Sequence, residues 1–140
     1  MIAAGLDVFD RTLHKTYEWL ADLMGLLSVD DRHMVYQALR ATLHALRDRM
    51  TVEEVAQLGA QLPMLVRGFY YEGWDPTAKP LKRRHKEAFL AYIASEFNND
   101  DVDPEQAARA VFALLAKRVT TGEIEDVKHI LPAELRELWT

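Results

Sequence analysis

The chain has no cysteine among its 140 residues, which excludes a disulfide framework, a thiol nucleophile and any thiolate metal site. Glycine and proline are sparse, at six and five residues, and the glycines stand singly. A P-loop, a dinucleotide fingerprint and a nucleophile elbow each need closely spaced glycines, so none of these is present. No apolar run approaches the ~18 residues of a membrane span. The opening MIAAGLDVFDR lacks a basic segment, and Asp7 and Asp10 interrupt its apolar residues. No secretory leader is therefore expected, and the expected location is cytoplasmic. Basic residues number 17 against 22 acidic ones, a net charge of -5 that argues against a surface built wholly for nucleic acid. No five-residue stretch alternates convincingly as a strand.

What is present is helical periodicity and self-similarity. Apolar residues at 49% and charged residues at 28% suit an ordinary globular chain with a single core. Shifted by 69 positions, Gln37–Tyr70 falls on Gln106–Trp139 without a gap, and 11 of the 34 pairs are identical. Composition alone would give about two. The identical pairs include Arg40/Arg109, Arg49/Arg118, Thr51/Thr120, Glu54/Glu123, Pro63/Pro132 and Arg67/Arg136. Such a repeat predicts an all-α fold of eight helices, as two four-helix units packed about a pseudo-twofold axis into one domain spanning 1–140. Unit one is expected over about 6–72, a linker over 73–80 and unit two over about 81–140.

Within the first unit, Leu6, Phe9, Leu13, Tyr17, Leu20, Leu23 and Leu27 mark one face of a long helix. Asp30 or Asp31 can cap a second, striped by Met34, Val35, Ala38, Leu39, Thr42 and Leu46. Thr51 with Glu54 three residues on reads as a capping box opening a third helix, and Thr120 with Glu123 repeats it. Pro63 and Pro132 suit the first position of a short fourth helix in each unit. In the second unit Lys82–Phe97 is expected to be helical, and after NNDDVDP a helix capped by Asp103 starts at Pro104.

The stretches DRHMVYQALRATLHALRDRMTVEEVAQLGAQLPMLVRGFYYEGW, NNDDVDPEQAARAVFALLAKR and LPAELRELW resemble domain of unknown function 2267, an uncharacterised bacterial family. The resemblance covers nearly the whole chain. It implies a small all-helical bacterial protein and carries no activity, cofactor or catalytic residue with it.

Candidate chemistry is thin. No two of His14, His33, His44, His85 and His129 have the i,i+3 or i,i+4 spacing of a helical metal pair. His33 and His44 share a face but lie about 16 Å apart at 1.5 Å per residue. Asp101-x-Asp103-x-Glu105 lacks the glycine of a calcium loop, and Phe112 stands where its glutamate belongs. Glu53 and Glu54 diverge around their helix, and Glu54 reads as a cap. No metal, cofactor or catalytic residue is expected.

Two features remain. Lys79, Lys82, Arg83, Arg84, His85 and Lys86 form the one dense basic run. Beside it, Phe69, Tyr70, Tyr71 and Trp74 form an aromatic cluster that outruns the second copy, which stops at Thr140. The rings suit a joint between the two units, or an exposed aromatic and basic surface comprising Tyr71, Trp74, Lys82, Arg83 and Arg84. The arginines that recur in both units suit a shared structural task, such as bridging helix ends. The leading expectation is a non-enzymatic module that binds a protein or small molecule and can also self-associate. A nucleic-acid- or anion-binding role for 79–86 is the alternative, and an enzyme with a dispersed site ranks third.

Overall fold

The computed structural model describes residues 5–77, 79–82, 84–97 and 102–140. Arg83, and all of the NNDD stretch including Asp101, lie outside the described residues. Eight α-helices and no strand occur among those described: α1 (Asp7–Leu27), α2 (Arg32–Arg47), α3 (Val52–Ala60), α4 (Met64–Tyr71), α5 (Lys86–Glu96), α6 (Pro104–Arg118), α7 (Thr121–Ile130) and α8 (Ala133–Arg136). A 3₁₀ turn, Glu137–Trp139, closes the chain. Among these residues, no helix is long and apolar enough to cross a membrane.

The caps follow the sequence. Asp31, Thr51, Asp103 and Thr120 each accept a hydrogen bond from a backbone amide three residues on. Pro104 occupies the first turn of α6, while Pro63 and Pro132 serve as N-caps, one position earlier than expected. Arg67 ends α3 by donating to the carbonyls of Gly59 (2.8 Å) and Leu62 (2.9 Å), so it does bridge helix ends.

α2 lies at the centre, and every residue from Ala41 to Met50 is buried. α1 and α4 pack on α2, α5 and α6 pack on each other, and α3 meets α7. α1 also packs on α6, and α5 on α2, so helices of both halves enclose one core built on Trp19, Leu39, Leu46, Tyr70, Phe89 and Phe112. Buried polar groups on α2 hold the end of α4. Arg47 donates to the carbonyls of Tyr70 (2.8 Å) and Glu72 (3.0 Å), and His44 Nε2 lies 2.6 Å from the Phe69 carbonyl. A neutral imidazole protonated at Nε2 makes that last bond. Burial, with the charges of Arg47 and Arg40, holds the His44 pKa below its ordinary value despite the bond. The second copy has Ala113 and Ala116 at the matching positions, so its chain end has no such clamp.

Three expectations need correction. α5 begins at Lys86 rather than Lys82, because the preceding backbone runs as an irregular strap. Leu81 N–H donates to the Asp48 carbonyl and Arg84 to the Ile130 carbonyl, contacts that a helix would not reach. Lys79, Lys82 and Arg84 therefore do not share a helical face with Lys86. Next, the apolar stripe of α1 is buried only in part. Leu6 (53% exposed), Phe9 (52%) and Tyr17 (44%) face outward, while Thr16, Trp19, Leu20 and Leu23 are buried. Periodicity identifies an apolar face but not how much of it neighbouring helices cover. Finally, both capping boxes are half formed. The threonine hydroxyls accept from Glu54 and Glu123 amides, but the glutamate side chains do not return to the threonine amides. Thr120 N–H donates instead to Gln61 Oε1 (3.0 Å), whose amide donates back to Thr120 Oγ1 (3.0 Å).

Candidate functional site

The aromatic and basic residues singled out by the sequence are held in different ways. Tyr71 and Trp74 are half-buried, with ring centroids 5.7 Å apart, and both pack against the core. The Tyr71 hydroxyl reaches towards the Val55 carbonyl (3.4 Å), and Trp74 Nε1 is buried without a partner among the described residues. Arg84 is committed to the Ile130 carbonyl, while Lys86 pairs with Glu137 (2.7 Å) and Glu105 (3.4 Å). Lys82 is exposed beside a shallow recess that includes Arg49, Leu81 and Tyr92. Tyr71 and Trp74 thus belong to the end of α4, and Lys82 and Arg84 to the strap.

The recurring arginines are tied down as well. Arg40 bonds Glu72 (2.8 Å), Arg109 bonds Glu105 (2.9 Å), and Arg118 bonds Asp22 (2.6 Å). Arg49 is buried, donates to the Ala45 carbonyl (2.9 Å) and lies over the rings of Phe89 and Tyr92.

A groove of about 920 Å³ runs between the first half of α1, the α3–α4 joint and the end of α6. Trp19 and Leu62, both buried, belong to its lining, and Val8 and Met64 are exposed along it. Arg11, Lys15, Lys117 and Arg118 outnumber Asp10 and Glu18 in that lining, on a chain whose net charge is negative. Phe9 on α1 and Leu65 on α4 are also exposed, as is Leu6 just ahead of α1, and Leu65 lines a separate recess with Thr16, Tyr36 and Phe69. Of these residues, the sequence stripe of α1 singled out Leu6 and Phe9, but as part of its apolar face.

A third arrangement was not foreseen. Where α3 meets α7, carboxylate oxygens of Glu54, Glu123 and Asp126 lie within 4.8 Å of one another. Glu54 is 7% exposed and Glu123 6%, whereas Asp126 stands at the surface. Oε2 of each buried glutamate has no hydrogen-bond partner among the described residues, and no ion pair there reaches either carboxylate. Burial, then the neighbouring Glu54 carboxyl and Asp126, push the Glu123 pKa up to about 8. Burial likewise pushes the nearby Tyr70 phenol up. The signal for this cluster was in the repeat. Glu54 and Glu123 are one of the identical pairs at the 69-residue offset, and the structure brings that pair together.

Comparison with known proteins places this geometry in a family. The profile described as Uncharacterized conserved protein (DUF2267) matches residues 16–138. Comparison with proteins of curated function finds no match.

Proposed function

The chain belongs to the uncharacterised DUF2267 family, whose profile spans residues 16–138, and we propose that it is a non-enzymatic binding module whose partner is another protein. The observation that carries this reading is the apolar surface left on α1 and α4 around the long groove. Large side chains in contiguous exposure mark interaction surfaces more often than they mark solvent. Phe9 and Met64 are more than half exposed, at 52% and 56%. Arg11, Lys15 and Lys117 keep more than half of their side chains exposed despite their ion pairs, which favours an acidic amphipathic helix laid with its apolar side into the groove.

The same reading treats the eight helices as two four-helix units about a pseudo-twofold axis. Support comes from the reciprocal packing of α1 on α6 and α5 on α2, and from the matched caps Thr51/Thr120 and Pro63/Pro132. Nucleic-acid or anion binding on 79–86 has less support, because Arg84 and Lys86 are already engaged.

Two fluorescein-labelled helical peptides with one apolar face, and with acidic or basic polar residues, test the proposal by anisotropy. The acidic peptide should bind the more tightly, and Met64→Asp should weaken it at least tenfold without unfolding the chain. Equal affinity for both peptides, or no effect of Met64→Asp, would remove the groove from consideration. A dimer in sedimentation that Met64→Asp dissociates would replace the foreign partner by a second copy.

A further inference from the structure

We propose that Glu54, Glu123 and Asp126 form a binding site for one hard divalent cation at the contact between α3 and α7. The inference is independent of the groove, since none of the three residues lines it. Three features of the cluster point to a cation.

The first is spacing. Carboxylate oxygens from all three residues lie within 4.8 Å of one another. Oxygen ligands on opposite sides of Ca²⁺ stand about 4.6–5.2 Å apart, from bonds of 2.3–2.6 Å. Three oxygens no further apart than that can share one ion of this size.

The second is unmet bonding. Glu54 and Glu123 are more than nine-tenths buried, and each presents an Oε2 that nothing among the described residues satisfies. A solvated acidic cluster would have water on these atoms, and a structural ion pair would have an arginine or lysine. Two carboxyl groups withdrawn from water together need a shared positive species, either a proton or a metal ion. Asp126 decides between them. A proton shared by two glutamates needs no third carboxylate, yet Asp126 sits one turn beyond Glu123 and completes a set of three. Its exposure leaves a route for an ion and room for waters to fill the remaining positions.

The third is donor chemistry. The set is all oxygen, which selects Ca²⁺ or Mn²⁺ over Zn²⁺ and Cu²⁺, ions that favour nitrogen or sulfur donors. The repeat explains why one site forms rather than two. Glu54 and Glu123 are equivalent, but the residue equivalent to Asp126 is Gln57, so the third charge comes from the second half alone.

Mn²⁺ added to the chelator-treated chain should be taken up at one ion per chain, read by loss of the free-ion electron paramagnetic signal. It should also raise the melting temperature, because it binds only the folded state. Asp126→Asn, at an exposed position, should leave the chelator-treated protein folded and weaken uptake at least tenfold. Glu123→Gln should abolish uptake while keeping the fold, since it removes a buried charge. The same uptake by Glu123→Gln as by the unaltered chain would overturn the site. So would an absence of saturable uptake at millimolar Mn²⁺ with a melting temperature that responds to pH alone, which would leave a shared proton as sole occupant.

Discussion

Replacing Gly59 by alanine should destabilise this protein, although glycine inside a helix ordinarily gains from that change. Gly59 lies in α3, where the substitution alone would be worth about 0.5–1 kcal/mol in favour of the folded state. A β-carbon there would stand 2.5 Å from the Tyr71 hydroxyl and 2.9 Å from the ring carbon that bears it. Neither side can withdraw easily. Arg67 donates to the Gly59 carbonyl at 2.8 Å and pins the helix end. The Tyr71 ring is wedged between Tyr70 and Trp74, at centroid distances of 4.9 and 5.7 Å. Overpacking of this kind costs about 1–3 kcal/mol, which leaves a net loss of roughly 1 kcal/mol. For a chain of 140 residues that is a fall of about 3 °C in melting temperature. The decisive assay is a double-mutant cycle by urea denaturation. In a Tyr71→Ala background the clash is gone, so Gly59→Ala should turn stabilising by about 0.5–1 kcal/mol, a coupling on the order of 2 kcal/mol. If Gly59→Ala stabilises the unaltered chain, the fitted contact between α3 and the end of α4 is wrong.

Two further outcomes follow from the caps and from His44. Thr51→Ala and Thr120→Ala should each lower the urea midpoint by the equivalent of about 1 kcal/mol. Thr120→Ala should be the larger loss because Gln61 also bonds that hydroxyl, and an unchanged midpoint in both would refute the capping. His44 has a folded pKa below its ordinary 6.5, so below pH 6.5 the unfolded chain takes up a proton that the folded chain resists. Stability contributed by the neutral ring is therefore lost as pH falls from 6.5 towards the folded value, by at most about 1.4 kcal/mol per pH unit. Glu123 acts in the opposite sense, losing stability as pH rises from about 4.5 through about 8. The difference between the unaltered chain and His44→Gln isolates the histidine, and parallel pH profiles for the two would rule out its buried neutral state.

How much of this was legible in the sequence depended on whether the determinant was local. Asp31, Thr51, Asp103 and Thr120 act within four residues, and each caps the helix its spacing announced. The start of α5 could not be read, because what holds Leu81 and Arg84 out of a helix is remote: the carbonyls of Asp48 and Ile130. Glu54 shows the same limit within one residue. Its amide obeys the local cap, while its side chain answers to Glu123, 69 positions away. The outward Leu6, Phe9 and Tyr17 belong to this class too, since coverage by other helices is a tertiary property. His44 and Arg47 gave no local signal at all, because their partners are carbonyls at the end of another helix.

The packing of α1 on α6 sets an order for events on the ribosome. Asp22 and Arg118, which join these helices, are 96 residues apart. At about 5–20 residues per second, α1 is complete roughly 5–20 s before its partner is made. Trp19, Leu20 and Leu23 must remain uncovered on that side for the whole interval, through the synthesis of α2 to α5. A helix forms within about a microsecond, so the delay lies in the arrival of its partner rather than in local structure. The nascent first half is thus a helical but unfinished body, and it is then that this chain most needs protection from aggregation.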